Sequence, residues 1–370
     1  MRELALACSS LLTLGVLASG CTDDSSSDEA TTVPFTTGIT TLPLTSTGSE
    51  DDPGDDTLGK LDVVMGTGDT MPCAEGGDCG ECVPSTHTPC DQGANSMISA
   101  LGLNCPGDAQ VEVTTFGSPA AMAVRTGFGA TGEWDPREGS AFAVLGSGFV
   151  TDLDLPTPPG DLDIDPTHCN DDLGLEYDMG TTLPAPIQVY DVSGDCATNP
   201  ALLGTGDCSN TIEGQFNQGG SANDYTEIRI VADVPVTNNS INYDFAFFST
   251  EYPWYYNSAF NDMYIGWLES ESWTGNISFD NMGNPISLNA GFLDFRDDGG
   301  GLAEFQGTCM ARHAGTKWLQ SVAPVTPGET ITLVLAVFDL SDSILDSYVF
   351  LDNFGWGCEG DSTPMTNPIG

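Results

Sequence analysis

Six carboxylates in the second half of the chain stand where strands would begin or end. Glu251 and Asp262 sit between two apolar runs, and Asp339, Asp342, Asp346 and Asp352 gather around a later one. With Asn261 and Asn353 beside them, they are the hard oxygen donors that Ca²⁺ takes up, roughly six to eight at a time. If the strands end at one edge of a sandwich, the six would form an oxygen cage, and calcium is the cofactor expected. The alternative is turn chemistry, since Asp and Asn favour turns without any ion. A second acidic set, Asp161, Asp163 and Asp165, imitates the opening of an EF-hand loop. Pro166 then stands where that loop requires Gly, and Asp172 where it requires a bidentate Glu, so the match fails.

Catalytic signatures are weak. The chain contains no G-x-S-x-G, H-E-x-x-H or G-x-x-x-x-G-K-[ST]. Its three histidines, His87, His168 and His313, read as surface or turn residues. Binding is therefore expected over catalysis. The rival reading is a carbohydrate-active hydrolase using acids near Glu251 and Asp262, and a third is a structural envelope component. Trp254, Tyr255 and Tyr256 lie in an aromatic-rich segment and are candidates for stacking on a sugar ring. Such residues also fill sandwich cores or brace loops. An extracellular glycan or protein is the partner class expected.

The chain has 54 acidic against 8 basic residues, a formal charge of −46. That surface repels phosphate backbones, so nucleic acid is excluded as a partner. Ten cysteines follow the first two: Cys73, Cys79, Cys82, Cys90, Cys105, Cys169, Cys196, Cys208, Cys309 and Cys358. An even number in an exported chain argues for disulfides. Cys79 and Cys82 form a CxxC, but no second CxxC or paired histidines at zinc spacing accompany it. Local loops from Cys196 to Cys208 and from Cys73 to Cys90 are the pairings suggested.

Export is read from the N-terminus. Arg2 precedes an uncharged apolar run at residues 4–17, then Ala18, Ser19, Gly20 and Cys21. The run is too short to span a bilayer and has secretory flanks. The small residues meeting Cys21 resemble a bacterial lipobox, with Leu17 four residues before the cysteine. Residues 1–20 are then a lipoprotein signal peptide, Cys21 the lipidated residue, and the N-terminal lipid the link to the membrane. Two acyl chains anchor stably where one is marginal. The expected location is the cell envelope, at the outer membrane or cell surface.

Residues 21–59 are an acidic Ser/Thr-rich stretch that reads as a disordered tether, because it cannot bury enough apolar surface to offset the entropy of ordering. Residues 60–93 are a Cys-rich loop segment, 94–358 the main domain, and 359–370 a polar tail. One helix is expected near residues 94–102, where Met97, Ile98 and Leu101 share a face. Elsewhere short runs broken by Gly, Pro, Asn and Asp predict an all-β domain. The predicted strands cover residues 110–115, 140–146, 226–231, 240–248, 262–268, 286–288, 330–339 and 347–351. Two alternating apolar faces and long connections point to a β-sandwich of jelly-roll type.

Three segments, FFSTEYPWYYNSAFNDMYIGWL, NISFDNMGNPISLNA and VFDLSDSILDSYVFLDNFGWGC, resemble the motifs of the bacterial choice-of-anchor L domain. The matching positions are Ser249, Glu251, Tyr252, Asn261 and Asp262, then Asp339, Asp342, Asp346, Ser347 and Val349. The stretch from GLNCPGDAQVEV to FAVLGSGFV also fits the family's opening, so the resemblance covers roughly residues 94–358. It implies an extracellular domain of surface proteins whose anchoring device differs between members. It implies no activity, ligand or catalytic residue.

Overall fold

Tyr243, Phe245 and Phe247 form one alternating face, and Ile331, Leu333, Leu335 and Val337 form another. In the computed structural model the two sets meet in one buried layer between two antiparallel sheets. The structure describes residues 81–93, 96–156, 167–173, 183–189, 195–216, 221–359 and 363–369. Strands are numbered here in chain order. The first sheet runs β1 (Glu112–Phe116), β4 (Ala222–Asp233), β12 (Thr330–Leu340), β6 (Met263–Glu269) and β7 (Thr274–Asn276), with β8 (Ile286–Ser287) also on β6. The second runs β14 (Met365–Pro368), β11 (Leu319–Pro324), β5 (Ser240–Ser249), β13 (Ser347–Gly357), β3 (Phe142–Gly146) and β2 (Met122–Arg125). Two short strands, β9 (Phe295–Arg296) and β10 (Ala314–Gly315), extend it beside β5. Long strands consecutive in the chain change sheet at each step: β4, β5 and β6, then β11, β12 and β13. This is the sandwich of jelly-roll type that the alternation predicted.

Both sheets are covered on their outer faces as well. Ala246, Phe248, Phe142, Val144 and Phe350 on the second sheet pack under Phe128, Trp134 and Phe305. Trp134 stacks on Phe305 at 4.7 Å and donates from Nε1 to the Thr316 carbonyl at 3.1 Å. On the first sheet, Tyr225, Met263, Ile265, Trp267 and Phe338 pack with Leu183, Ile187 and Ile212. Burial on two faces explains why β5 and β12 read as nearly continuous apolar runs. Each fully buried Phe or Leu contributes about 1.5–3 kcal/mol relative to exposure.

The expected helix is a single turn, α1 (Met97–Ala100), with Met97 and Ile98 packed on the inter-sheet core and Leu101 inside it. Eight strands lie where the sequence placed them, β5, β12 and β13 each extending beyond the predicted end. Six others, β2, β7, β9, β10, β11 and β14, are too short or lack the alternation that announces a strand. β14 lies in the polar tail and pairs with β11 from Met365↔Val322 to Pro368↔Leu319.

Four disulfides join described residues: Cys82–Cys358, Cys90–Cys105, Cys169–Cys309 and Cys196–Cys208. The Cys196–Cys208 loop is as expected. The Cys73–Cys90 pairing is not, because Cys90 is bonded to Cys105. Cys82 of the CxxC is committed to Cys358, against zinc or redox use of that motif. Cys21, Cys73, Cys79, the tether and Asp161, Asp163 and Asp165 lie outside the described residues.

Candidate functional site

Four strand termini bring the acidic residues to one end of the sandwich. β5 ends at Ser249 and runs into Glu251, while β13 starts at Ser347, paired with Ser249 and preceded by Asp346. In the facing sheet β12 ends just past Asp339, and β6 starts just after Asp262, with Phe338 paired to Met263. Side-chain alternation then decides what points inward. Val337 belongs to the inter-sheet core and Phe338 to the outer one, so Asp339 returns to the inner layer. The same parity places Asp262 with Tyr264, Ser249 with Phe247, Ser347 with Val349 and Ser147 with Leu145. Beside this point β4 is bulged: the register shifts between Val337 and Asp339, and Asp224 has φ +49°. Bulges recur where a side chain must be re-aimed.

The inner group is closed to solvent. Asp262 and Asp339 are 0% exposed and Glu251 is 1% exposed. Asp262 accepts from the Ser347 hydroxyl at 2.8 Å and from the Leu340 N–H at 3.1 Å, and its own N–H donates to Glu251 Oε2 at 3.2 Å. Neither oxygen of Asp339 has a hydrogen-bond partner of sound geometry. The Ser147 hydroxyl is near Asp339; it accepts from the Ser347 N–H at 2.9 Å, and its own proton has the Ser347 carbonyl at 3.4 Å as an alternative acceptor. Asp262 and Asp339 adjoin so closely that a direct bond between them needs a retained proton.

Burial is the main reason these groups resist ionisation. It raises Asp262 to about 8, against the lowering effect of Ser347 and Leu340. It lifts Asp339 well above the usual carboxylate range, with Asp262 and Asp346 adding repulsion. Glu251 is pushed up likewise, first by burial and then by Asp262. None of the ion pairs among the described residues reaches this group. Arg125 pairs with Asp154, Arg137 with Asp244, Arg229 with Glu227 and Arg312 with Asp297, while Arg296 lies over Tyr256.

The six-residue set of the sequence divides. Glu251, Asp262 and Asp339 form the inner group. Asp346 adjoins it on the outer side, where it accepts from Asp171 N–H at 3.0 Å and Tyr348 OH at 2.9 Å. Asp342 is half-buried at the rim, its carboxyl raised by partial burial. Asp352 is apart: five residues along β13 from Ser347, it pairs with Asp244, roughly 17 Å away at strand rise. There it accepts from the N–H groups of Arg137 (2.6 Å) and Asn353 (2.7 Å), and burial raises it to about 7. Among the described residues no three His, Cys, Asp or Glu side chains form a ready-made metal-binding group.

The aromatic candidates do not form a platform. Trp254 is 47% exposed, whereas Tyr255 packs on Phe260 and Tyr256 on Tyr252 beneath Arg296. Both tyrosines also lean on the inter-sheet core. Of the histidines, His313 is a correction to the surface reading. It is 1% exposed, bonded through Nδ1 to the Tyr252 carbonyl at 2.6 Å, and lowered by burial to about 4. A cavity of about 260 Å³ opens instead between residues 85–87 and the sandwich, lined by His87, Asp108, Leu103, Phe354 and Trp356. His87 Nε2 is 2.9 Å from Glu138 there. Sequence reasoning missed Trp356, because its company comes from segments about 270 positions away.

Residues 197–355 match the family model of the choice-of-anchor L domain. The chain carries a choice-of-anchor L domain. Its presence marks a cell-surface protein. The match takes in β4 to β13 and the whole acidic end, but not β1 to β3, which complete the two sheets from upstream. No curated protein and no solved structure matches the chain. No helix among the described residues is long and apolar enough to cross a membrane.

Proposed function

We propose that this choice-of-anchor L protein is a lipoprotein, held at the cell surface through Cys21, whose calcium-stabilised sandwich binds an extracellular glycan. The observation that carries the binding reading is the cavity beside Trp356 and Phe354, where an indole and a carboxylate, Asp108, line one space of about 260 Å³. Sugar recognition combines an aromatic face with a few convergent polar groups. Hydrolysis by Glu251 and Asp262 is disfavoured by their burial, because a substrate would have to reach side chains 1% and 0% exposed.

The test has two arms. Labelled fatty acid should enter the protein and fail to enter Cys21→Ser; incorporation that survives the substitution overturns the lipid anchor. On a glycan array the protein should bind without turnover, and Trp356→Ala should lose that binding. Turnover lost on Glu251→Gln would replace binding by hydrolysis.

A further inference from the structure

We infer that one calcium ion is held at the end of the sandwich by Asp262 and Asp339, with Glu251 completing the carboxylate set and Asp352 taking no part. This rests on the calcium-stabilised reading above and gives it an address.

The first ground is uncompensated burial. Three carboxylates at 0%, 0% and 1% exposure lie together, Glu251 and Asp339 each against Asp262, and the arginines described are engaged with other partners. A buried charge without a partner costs several kcal/mol or more, so something must neutralise it. The second ground is independent of charge. Both oxygens of Asp339 are buried without a hydrogen bond of sound geometry, and of the nearby donors only the Ser147 hydroxyl could turn toward it. The Ser347 hydroxyl and Leu340 N–H go to Asp262, and the Asp262 N–H goes to Glu251. A proton shared between Asp262 and Asp339 would satisfy one oxygen of Asp339 and leave the other to the Ser147 hydroxyl alone. A cation satisfies both.

The donors select the ion. All are oxygens: carboxylates from three residues, the Ser347 hydroxyl bonded to Asp262 and the Ser147 hydroxyl beside Asp339. Of the sulfur and imidazole that softer metals prefer, the nearest representatives are committed, Cys169 to Cys309 and His313 Nδ1 to Tyr252. Calcium accepts hydroxyl, carbonyl and water oxygens beside carboxylates in flexible geometry, whereas Mg²⁺ demands a near-ideal octahedron and keeps its waters. Since no three acidic side chains are already gathered around a point, binding closes the site by drawing Glu251 and Asp339 inward. Lashing the end of β12 to the starts of β6 and β13 would then stabilise the fold by mass action.

The experiment uses the full chain, with equilibrium dialysis against ⁴⁵Ca²⁺ and thermal melts in EDTA, Ca²⁺ or Mg²⁺. EDTA should lower Tm, and Ca²⁺ but not Mg²⁺ should restore it. Asp339→Asn should lose a bound ion and the Tm response, while Asp352→Asn keeps both. If Asp339→Asn fails to fold, Glu251→Gln supplies the same comparison, with weakened Ca²⁺ binding expected. An EDTA effect that Asp339→Asn and Glu251→Gln both retain would leave calcium binding intact but overturn this site. Wild-type protein that binds no calcium, and whose Asp339→Asn variant melts higher, would overturn site and calcium together in favour of a shared proton.

Discussion

Individual side chains at the acidic end tolerate little change. A Cβ on Gly148 would lie 1.7 Å from Oδ2 of Asp346, whose carboxyl is already fixed by Asp171 and Tyr348. Gly148→Ala should therefore destabilise the protein by ~1–3 kcal/mol through overpacking, read as a lower denaturant midpoint. Two other residues set opposing pH effects. His313, lowered to about 4 from 6.5, is held neutral, so the stability it permits is full above pH 6.5 and is lost as pH falls toward 4. Asp352, raised to about 7 from 3.8, works the other way: stability is greatest below 3.8 and declines as pH rises through about 7. Melting curves across this range should separate them. His313→Gln should flatten the acid-side loss, and Asp352→Asn the decline toward neutrality.

Among the elements, strand pairing explains both the cohesion of the molecule and the gaps in what its sequence announces. β5 and β12 were legible because each buries apolar side chains on both faces, leaving runs such as FAFF and VLAVF. β11 and β14 were not: LQSVAP and MTNP become strands because β5 and β11 offer them open edges. Disulfides then tie elements that the sheets do not. Cys169–Cys309 spans 140 positions, joining the segment beneath Asp346 to the turn that carries Met310 under the second sheet. In the loop-entropy account long closures stabilise most, so Cys169→Ser with Cys309→Ser should cost about 2–5 kcal/mol. Chemical denaturation of the double variant under non-reducing conditions measures it.

The whole molecule carries a charge of −46, and its few described arginines are engaged locally. Self-repulsion at that charge opposes compactness, and salt screens it within about 10 Å at 0.1 M. Tm should therefore rise with NaCl between low and physiological ionic strength, in chelator and in calcium alike. A flat response would mean that the surface charges are spaced too widely to repel.

The sequence by itself determined the all-β class, the sandwich, most long strands, the use of disulfides and the choice-of-anchor L family, because these depend on local alternation, composition and ordered motifs. It also singled out six carboxylates, but as one set. Only the tertiary structure divided them. Glu251, Asp262 and Asp339 meet because β5·β13 and β12·β6 end together on facing sheets, and because parity turns Asp262 and Asp339 inward. Asp352, on the same strand as Ser347 but of the opposite parity and five residues along, falls on the outer face with Asp244. Register and parity across sheets are properties of pairing between distant segments, and no local pattern encodes them.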